Sequence, residues 1–247
     1  MERPVETACP RPVSGAPIKA CPSGVIPSRC VLSGRFIRLE PLDPAAHAEE
    51  LYSAGHGSDA ALHIWDYLPH GPWSDQASFT AHLRNQAADL DMIRFVLRPA
   101  STGTASGTAS YMDINARDGV IEIGGIWFSL TLQRTRAATE ALFLLLSYAM
   151  DKLCYRRMQR RCNALNDKSR NAARRLGFRF EGIFYNHMVV KGRNRDTAWY
   201  SILDDEWPEV RSILQGWLDD ENFDPVGRPR RSLSAMMTQR GLPSPRE

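Results

Sequence analysis

A strand that runs directly into a helix occupies residues 120–153, VIEIGGIWFSLTLQRTRAATEALFLLLSYAMDKL. Residues 120–130 are almost continuously apolar and rich in β-branched and aromatic side chains, which is typical of a strand covered on both faces. The second half of the stretch has the pattern of a helix. Because such a strand must lie inside a sheet and such a helix must cover a sheet, this stretch constrains the fold more than any other.

The polar turn between this strand and this helix is the first candidate functional site. It contains QRTRAA, residues 133–138, at the point where the helix begins. A helix N-terminus leaves several backbone N–H groups without intrahelical partners, beside the positive end of the helix dipole. Arg134 and Arg136 stand at that end. Together these features favour the binding of a phosphate group.

The composition limits the class of protein. A chain of 247 residues with 43% hydrophobic and 24% charged residues is typical of a soluble globular protein with one substantial core. A net charge of +3 is too small to imply general affinity for nucleic acids or membranes. No apolar run reaches the roughly 18 to 20 residues that cross a bilayer, and the N-terminus lacks a secretory apolar region. We therefore expect a cytoplasmic location and no membrane partner.

The cysteines predict no structural cross-links. There are 5 of them, an odd number, and none forms a C-x-x-C pair. We expect reduced thiols rather than a disulfide or zinc framework, and no metal site.

The chain divides into an arm, one folded domain and a tail. Residues 1–33 hold six prolines and little apolar periodicity, so they are predicted to form an extended or disordered arm. Residues 34–218 carry the patterns of strands and helices and form the domain. Residues 219–247 lose apolar periodicity and gain arginine and proline, which predicts a tail.

Within the domain the patterns predict a mixed α and β fold. Strands at 92–97, 108–115 and 120–130 should form an antiparallel meander, because short turns separate them. An aromatic loop at 63–73 is predicted to be either a lid packed on the core or part of a pocket wall. The other predicted elements are a strand near 35–40, helices at 45–54 and 74–91, a strand at 157–164, a helix at 166–176, strands at 178–190 and 198–203, and a helix at 206–218.

Three segments in this order resemble the GNAT superfamily of acetyl-CoA-dependent N-acyltransferases, most nearly its RimJ/RimL-type branch. They are IWFSLTLQRTRAATEAL, NALNDKSRNAARRLGFRFEG and MVVKGRNRDTAWYSILDDEW, and the resemblance spans residues 34–218. It implies an α+β GNAT-like fold, with a mostly antiparallel central sheet of about six to seven strands, flanking helices and a splayed central strand pair. It also implies acetyl-CoA as co-substrate and an amine-bearing small molecule, protein or peptide as acceptor.

The resemblance assigns the pyrophosphate of coenzyme A to the turn before the central helix. The family's turn has the form Gln/Arg-x-x-Gly-x-Gly/Ala, and its backbone N–H groups hold the pyrophosphate. Gln133 and Ala138 match this form, whereas Arg136 replaces the inner glycine. An arginine cannot cheaply adopt a left-handed backbone, but it is expected to bring its guanidinium close to the phosphate. Arg174 or Arg170 is expected to reach the adenosine phosphates.

The pantetheine arm is expected in a gap beside the central strand. The pair Gly124-Gly125 predicts a bulge or a close backbone approach, or merely relief of crowding under Trp127. Polar residues of the short helix match family positions that face the arm. The full set of expected cofactor contacts is Phe128, Ser129, Leu130, Gln133, Arg134, Thr135, Arg136, Ala137, Ala138, Thr139, Asn166, Ser169, Asn171 and Arg174.

Three residues are candidates for proton transfer. An amine near pH 7 is mostly ammonium, so acyl transfer needs a base. Glu122 and His187 are the candidates, and the alternatives are a solvated strand residue and a packed or surface histidine. Many family members carry a tyrosine as the acid where this chain has Ala173, so the resemblance to the RimL-type branch makes Ser169 the candidate proton donor. The alternative for Ser169 is a helix-start hydroxyl that bonds only backbone.

Two other functions stay open at this point. The departures at Arg136 and Ala173 are compatible with a degenerate CoA-binding or interaction module without turnover. The arginines between residues 156 and 179 could line an RNA-binding face, although a nucleic-acid partner is the less expected reading. Release of thiol from acetyl-CoA in the presence of amines separates an enzyme from both. The sequence leaves open whether the chain forms a homodimer.

Overall fold

The computed structural model describes residue 18 and residues 22–240. Its centre is one sheet whose 8 strands are, in chain order, β1 (Leu32–Ser33), β2 (Ile37–Pro41), β3 (Ile93–Pro99), β4 (Gly107–Asn115), β5 (Val120–Phe128), β6 (Arg157–Asn163), β7 (Arg179–Val190) and β8 (Arg193–Leu203). The helices are α1 (Pro44–His56), α2 (Asp59–Leu62), α3 (Gln76–Ala88), α4 (Arg136–Ser147), α5 (Asp167–Arg175), α6 (Trp207–Leu218) and α7 (Leu233–Thr238). A π-helical turn at Tyr148–Lys152 continues α4, and 3₁₀ turns lie at His63–Trp65 and Asp220–Asn222.

The strands lie in the order β1-β2-β3-β4-β5-β6-β8-β7. All neighbouring strands pair antiparallel except β5 and β6, which are parallel. This confirms the α+β GNAT-like fold and the antiparallel meander of β3, β4 and β5. The sheet has one strand more than the six to seven expected, because the two-residue β1 from the proline-rich segment pairs with β2.

The parallel pair at the centre of the sheet is splayed. β5 and β6 are paired only from Val120 with Arg157 to Glu122 with Gln159. Beyond this point β6 stays paired with β8 and β5 stays paired with β4, so the two strands diverge. A bulge lies just after the last pair, where the register of β4 and β5 shifts and Gly125 takes a φ of 58°. Because a bulge bends the strand that carries it, the double glycine accounts for the divergence.

Two hydrophobic cores lie on the two faces of the sheet. The first contains Ile121 and Ile123 of β5 and is covered by α4, whose Leu142, Leu145 and Leu146 are buried there. The second lies under α1 and α3 and contains Leu51, Phe79, Leu83, Val96, Trp65 and Trp127. The central strand is therefore covered on both faces, as its apolar composition predicts.

The cap of α1 forms as its sequence predicts. The carboxylate of Asp43 accepts a hydrogen bond from the N–H of Ala45 at 2.9 Å, and Pro44 occupies the first helical position. The hairpin of β7 and β8 differs from the prediction, because β8 already begins at Arg193. Only Lys191 and Gly192 form its turn, and both have positive φ, as a two-residue hairpin turn requires.

The described parts of the predicted arm and tail contact the domain. The hydroxyl of Tyr155 donates to the carbonyl of Val25 at 3.0 Å, so this part of the arm lies against the protein. In the predicted tail, Leu233 and Met237 of α7 are buried in the first core. Residues 1–17, 19–21 and 241–247 of these segments lie outside the described residues, and the division into arm, domain and tail stays a prediction.

Glu140 of α4 fixes the segment before β2 to the helix. One carboxylate oxygen accepts the N–H of Arg35 at 3.0 Å, and the other accepts those of Phe36 at 2.6 Å and Ile37 at 3.0 Å. These bonds join the edge of the sheet to the helix that starts beside the splayed strands.

Replacing this carboxylate tests the connection. We predict that Glu140→Ala lowers the free energy of unfolding by about 3 kcal/mol, because it leaves three N–H donors without their acceptor. Urea denaturation measures the loss. Glu49→Ala on the exposed side of α1 is the control, and equal effects of the two substitutions contradict the prediction.

Candidate active site

A cavity of about 300 Å³ lies where β5 and β6 diverge. On one side it is lined by Glu122 and by the bulge at Gly124 and Gly125. On the other side it is lined by β6 from Arg160 onward and by the start of α5. The structure therefore brings Glu122, Asn166 and Ser169 of the predicted site into one cavity.

Glu122 is buried in this cavity, with 1% of its surface exposed. Its nearest cation is Arg161, whose Nε lies 3.4 Å from Oε2, and within the described residues Oε2 accepts no hydrogen bond. Burial raises the pKa of Glu122 to about 8, and the charge of Arg161 opposes this rise. Burial excludes the alternative of a solvated strand residue. A carboxyl group with a pKa near 8 can take up a proton at neutral pH.

Ser169 lies in the first turn of α5 and faces the cavity. Asn166 caps this helix, since its Oδ1 accepts the N–H of Ser169 at 3.0 Å. The hydroxyl of Ser169 accepts a hydrogen bond from Nη2 of Arg160 at 3.0 Å, so it does not bond backbone alone. A hydroxyl that accepts from a guanidinium is polarised toward donating its own proton.

His187 does not join these residues, which corrects the expectation that it faces Glu122. It is exposed, its Nδ1 lies 3.0 Å from the Thr197 hydroxyl, and it is not part of the cavity wall. The physical reason is an irregularity in β7, where the register with β8 shifts between Phe184 and Met188. Met188 faces the cavity instead.

The predicted phosphate site is a regular helix start. Thr135 is the N-cap of α4, and its hydroxyl accepts the N–H of Ala138 at 3.1 Å. The N–H groups of Arg136 and Ala137 belong to the first turn and have no intrahelical acceptor. Arg134 takes the left-handed conformation, with a φ of 63°. The left-handed position of this turn is thus occupied by Arg134. It is not occupied by Arg136, which replaces the family's inner glycine.

The side chain of Arg136 lies elsewhere, which corrects the expectation that its guanidinium stands beside a phosphate. It packs between the rings of Phe36 and Phe223, at 4.1 and 4.0 Å from their centres. It donates to the carbonyl of Leu218 and pairs with Asp220 at 2.9 Å. Leu218 is the last residue of α6, and Asp220 and Phe223 follow it in a segment that the sequence pattern assigned to a tail.

The end of β5 is joined to this turn. Nε2 of Gln133 donates to the carbonyl of Phe128 at 3.0 Å. The N–H of Ser129 donates to Ser106 at 2.7 Å, and the carbonyl of Ser129 accepts from Leu132 and Gln133. The backbone of Ser129 and the carbonyl of Phe128 are thus both engaged within the fold.

An arginine that the prediction omitted from the cofactor contacts lies at the first turn of α4. Nη1 of Arg175 donates to the hydroxyl of Thr139 at 3.2 Å. The expected Arg174 bonds Asn171 at 2.9 Å, and both line a neighbouring cavity together with Arg175. Arg170 is buried and donates to the carbonyl of Ala164, so it is a structural residue rather than a phosphate ligand.

The aromatic loop forms one wall of the cavity. Trp65 is buried against Trp127 of β5, and the hydroxyl of Tyr67 donates to the carbonyl of Leu165 across the opening, at 3.2 Å. His70 of the loop and His82 of α3 lie with their rings 4.7 Å apart. Burial, with the nearby charges of His70 and Arg94, lowers the pKa of His82 to about 4. Neither histidine stands out in the sequence, because single histidines carry no recognisable spacing.

The match to known proteins agrees with this geometry. Residues 37–179 match the family described as the acetyltransferase (GNAT) domain. The chain belongs to the GNAT acetyltransferase family. It is therefore an acyl-CoA-dependent N-acetyltransferase, of a family that uses acetyl-CoA as co-substrate and acts on amine acceptors.

Individual relatives of this GNAT protein extend the comparison. It is 40% identical to a GCN5-related N-acetyltransferase from Brucella melitensis, with a TM-score of 0.85 over 89% of this chain and 99% of that one. It is 28% identical over 172 residues to a Bacillus subtilis (strain 168) protein named "Putative ribosomal N-acetyltransferase YdaF", covering 68% of this chain and 90% of the relative. A RimL structure, a ribosomal L7/L12 alpha-N-protein acetyltransferase, has the same fold at 19% identity and a TM-score of 0.59, over 70% of this chain and 93% of that one. The resemblance to the GNAT superfamily is confirmed, and the RimL structure shares the fold.

The described residues lack two features. Among them there is no group of three or more His, Cys, Asp and Glu side chains placed to hold a metal ion. None of the helices in the described ranges is long and apolar enough to span a membrane. The described cysteines, Cys30, Cys154 and Cys162, are free thiols, while Cys9 and Cys21 lie outside the described residues.

The burial of Glu122 predicts a pH-dependent cost in stability. Its pKa is about 8 in the folded state and near 4.5 when exposed, so between these values the folded state binds the extra proton. Stability therefore falls as pH rises through this range. We predict that Glu122→Gln gains stability relative to the wild type between pH 5 and pH 9, by up to about 4 kcal/mol.

Urea denaturation at pH 5, 7 and 9 measures this gain. Glu49→Gln, on the exposed side of α1, is the matched control and should show no such trend. A constant difference between Glu122→Gln and wild type at all three pH values contradicts the prediction.

Proposed function

We propose that this chain acetylates a primary amine by direct attack of the amine on the thioester of acetyl-CoA, with Glu122 as general base. The observation that carries the proposal is the burial of this carboxylate at the point where β5 and β6 separate, with a pKa of about 8. A base with such a pKa accepts a proton from an ammonium group near neutral pH.

The opening between the strands fits the acyl carrier. The ladder between β5 and β6 ends at Glu122 in the described chain, so a ligand placed between the two strands beyond this point can bond their backbones. The first turn of α4 offers the N–H groups of Arg136 and Ala137, and Arg175 adds a cation beside Thr139. We propose that these groups hold the pyrophosphate, with Arg134 and Arg174 as further basic contacts. Phe128, Leu130, Asn166 and Asn171 complete the proposed cofactor contacts.

Each proton-transferring group has a defined position. When bound, acetyl-CoA supplies an activated carbonyl whose C–S bond breaks as the new C–N bond forms. Glu122 takes the proton that the amine nitrogen loses and becomes a neutral carboxylic acid, and Arg161 holds its side chain in place. Ser169, polarised by Arg160, is positioned to donate a proton toward the departing sulfur.

The acceptor is proposed to be a terminal amine that enters from the side of the aromatic loop. The name of the Bacillus subtilis relative and the RimL structure support the N-terminus of a ribosomal protein as one acceptor of this kind. Such an acceptor supports a cytoplasmic location. No feature of the described chain favours a module without turnover, since Glu122 and Ser169 share one cavity.

Removal of the base tests the proposal directly. We predict that Glu122→Gln lowers kcat/KM for the amine by about 100-fold to 10,000-fold while leaving acetyl-CoA affinity unchanged. For the wild type, kcat/KM should rise with pH up to about pH 8, as the pKa of Glu122 requires.

Thiol release measures the rate, and calorimetry measures cofactor binding. His187→Gln is the matched control, because it replaces the rejected base candidate on the exposed strand. If Glu122→Gln keeps a rate within threefold of wild type, or if His187→Gln loses as much, the assignment of the base is wrong.

The serine is tested by a pair of variants. We predict that Ser169→Ala lowers kcat by about 10-fold to 100-fold, because the departing sulfur loses its proton donor. Ser169→Thr keeps a hydroxyl beside Arg160 and should retain most of the rate. Equal losses in both variants would show that the hydroxyl proton is not what the reaction needs.

A further inference from the structure

Three arginines face the cavity on the side of the sheet opposite α4. They are Arg94 of β3, Arg161 of β6 and Arg195 of β8, and all three line the cavity with Glu122. The neighbours of Arg94 in β3, Ile93 and Phe95, pack in the core under α4. Because side chains alternate along a strand, Arg94 projects to the other face, toward α1 and α3.

Arg94 is buried and contacts only neutral groups. It is 5% exposed, and its Nη1 donates to the Thr108 hydroxyl and the Gly125 carbonyl, both at 3.3 Å. Its Nη2 contacts the sulfur of Met92, and within the described residues its buried Nε has no hydrogen-bond partner. Asp89 influences Arg94 through its charge but does not form an ion pair with it. The guanidinium is thus held in place by uncharged partners.

Arg195 is half-buried and lines the cavity from its other side. Its Nε is buried and has no hydrogen-bond partner in the part of the chain that the structure describes. The groups that act on its charge include a second arginine, Arg161, as well as Glu122. Burial and the charge of Arg161 lower the pKa of Arg195, and Glu122 opposes this change.

The acids at the cavity do not balance these arginines. Glu122 is the one acidic side chain that lines it among the described residues, and its ion pair is with Arg161. Arg161 also pairs with Asp113 at 2.8 Å, so both acids contact the same arginine. In the part of the chain that the structure describes, Arg94 and Arg195 form no ion pair with a carboxylate. Buried cations without counter-ions are costly, and such sites are suited to bind anions.

The phosphates of the acyl carrier are proposed to bind at the start of α4, on the other face of the sheet. The anion for Arg94 and Arg195 must therefore come with the acceptor. We infer that the acceptor amine carries a carboxylate close to its nitrogen, an inference that rests on the proposed function. A free amino acid and a peptide with an acidic first residue share this chemistry, and a guanidinium matches a carboxylate through two parallel hydrogen bonds.

Paired acceptors that differ in one carboxylate test this inference. Thiol release from acetyl-CoA is measured with peptides beginning with Asp or Asn, with peptides beginning with Glu or Gln, and with a free amino acid and its amide. The carboxylate member of at least one pair should show a kcat/KM at least tenfold higher. A preference within the peptide pairs identifies a peptide acceptor, and a preference for the free amino acid identifies a small molecule.

A substitution of Arg195 tests whether the arginines of the cavity cause the preference for a carboxylate. Arg195→Gln should raise KM for the acidic acceptor about tenfold and bring its kcat/KM toward that of the neutral partner, since one bidentate contact is lost. Arg193→Gln is the matched control, because it removes the same charge from an exposed position in the same strand. Equal loss of preference in both variants would attribute it to overall charge and overturn the inference.

Product binding separates this inference from the proposed function. Calorimetry in the presence of CoA compares an N-acetylated acidic peptide or amino acid with its amide, and the acid should bind at least tenfold more tightly. If amines of both kinds are acetylated equally, the function stands and the inference fails. If no amine releases thiol but the acid binds more tightly, the inference stands and the proposed function fails. Equal binding without turnover contradicts both.

Discussion

The site depends on where one ladder of backbone hydrogen bonds stops. β5 and β6 are paired over three residues and then separate, because the bulge at Gly124 and Gly125 bends β5 while β6 follows β8. The separation exposes strand edges inside the protein and creates a cavity that reaches both faces of the sheet. A carboxylate placed at the last pair, Glu122, is consequently buried beside the opening. The turn that leads into α4 begins at the far end of the same strand.

The two faces of the sheet divide the chemistry. The face of the sheet that α4 covers carries the start of this helix, Arg175 and the Ser169–Arg160 pair. These groups are suited to an acyl carrier and its leaving sulfur. On the other face, Glu122 and Arg161 lie beside the aromatic loop. The opening joins the two sides, so a thioester and an amine can approach each other through it. The buried charges lower stability, and the two hydrophobic cores offset that cost.

Most of the fold could be predicted because its signals are local. The apolar run of β5, the cap at Asp43 and the small residues before α4 each act within a few residues. Glu122 could be named for the same reason, since it lies just before the double glycine, whereas Ser169 was named through the resemblance to the RimL-type branch. The partners of Arg136 could not, because Phe36 and Asp220 are distant in sequence and one of them lies in a segment without periodicity.

The remaining errors come from register and from single residues. His187 looked suitable on β7, but an irregular pairing with β8 turned Met188 into the cavity instead. Arg94 gave only the weak signal of a charge within an apolar strand, and its role depends on contacts with β4 and β5. Such positions are set by tertiary packing, which a pattern along one strand does not record.

Amide hydrogen exchange with and without CoA tests most directly whether the opening between β5 and β6 receives the acyl carrier. Binding there should slow exchange in the segments 123–130 and 134–139, since their free N–H groups would gain acceptors or lose contact with water. It should leave α1 unchanged. Slowed exchange confined to other parts of the chain, at CoA concentrations where calorimetry shows saturation, would contradict the account.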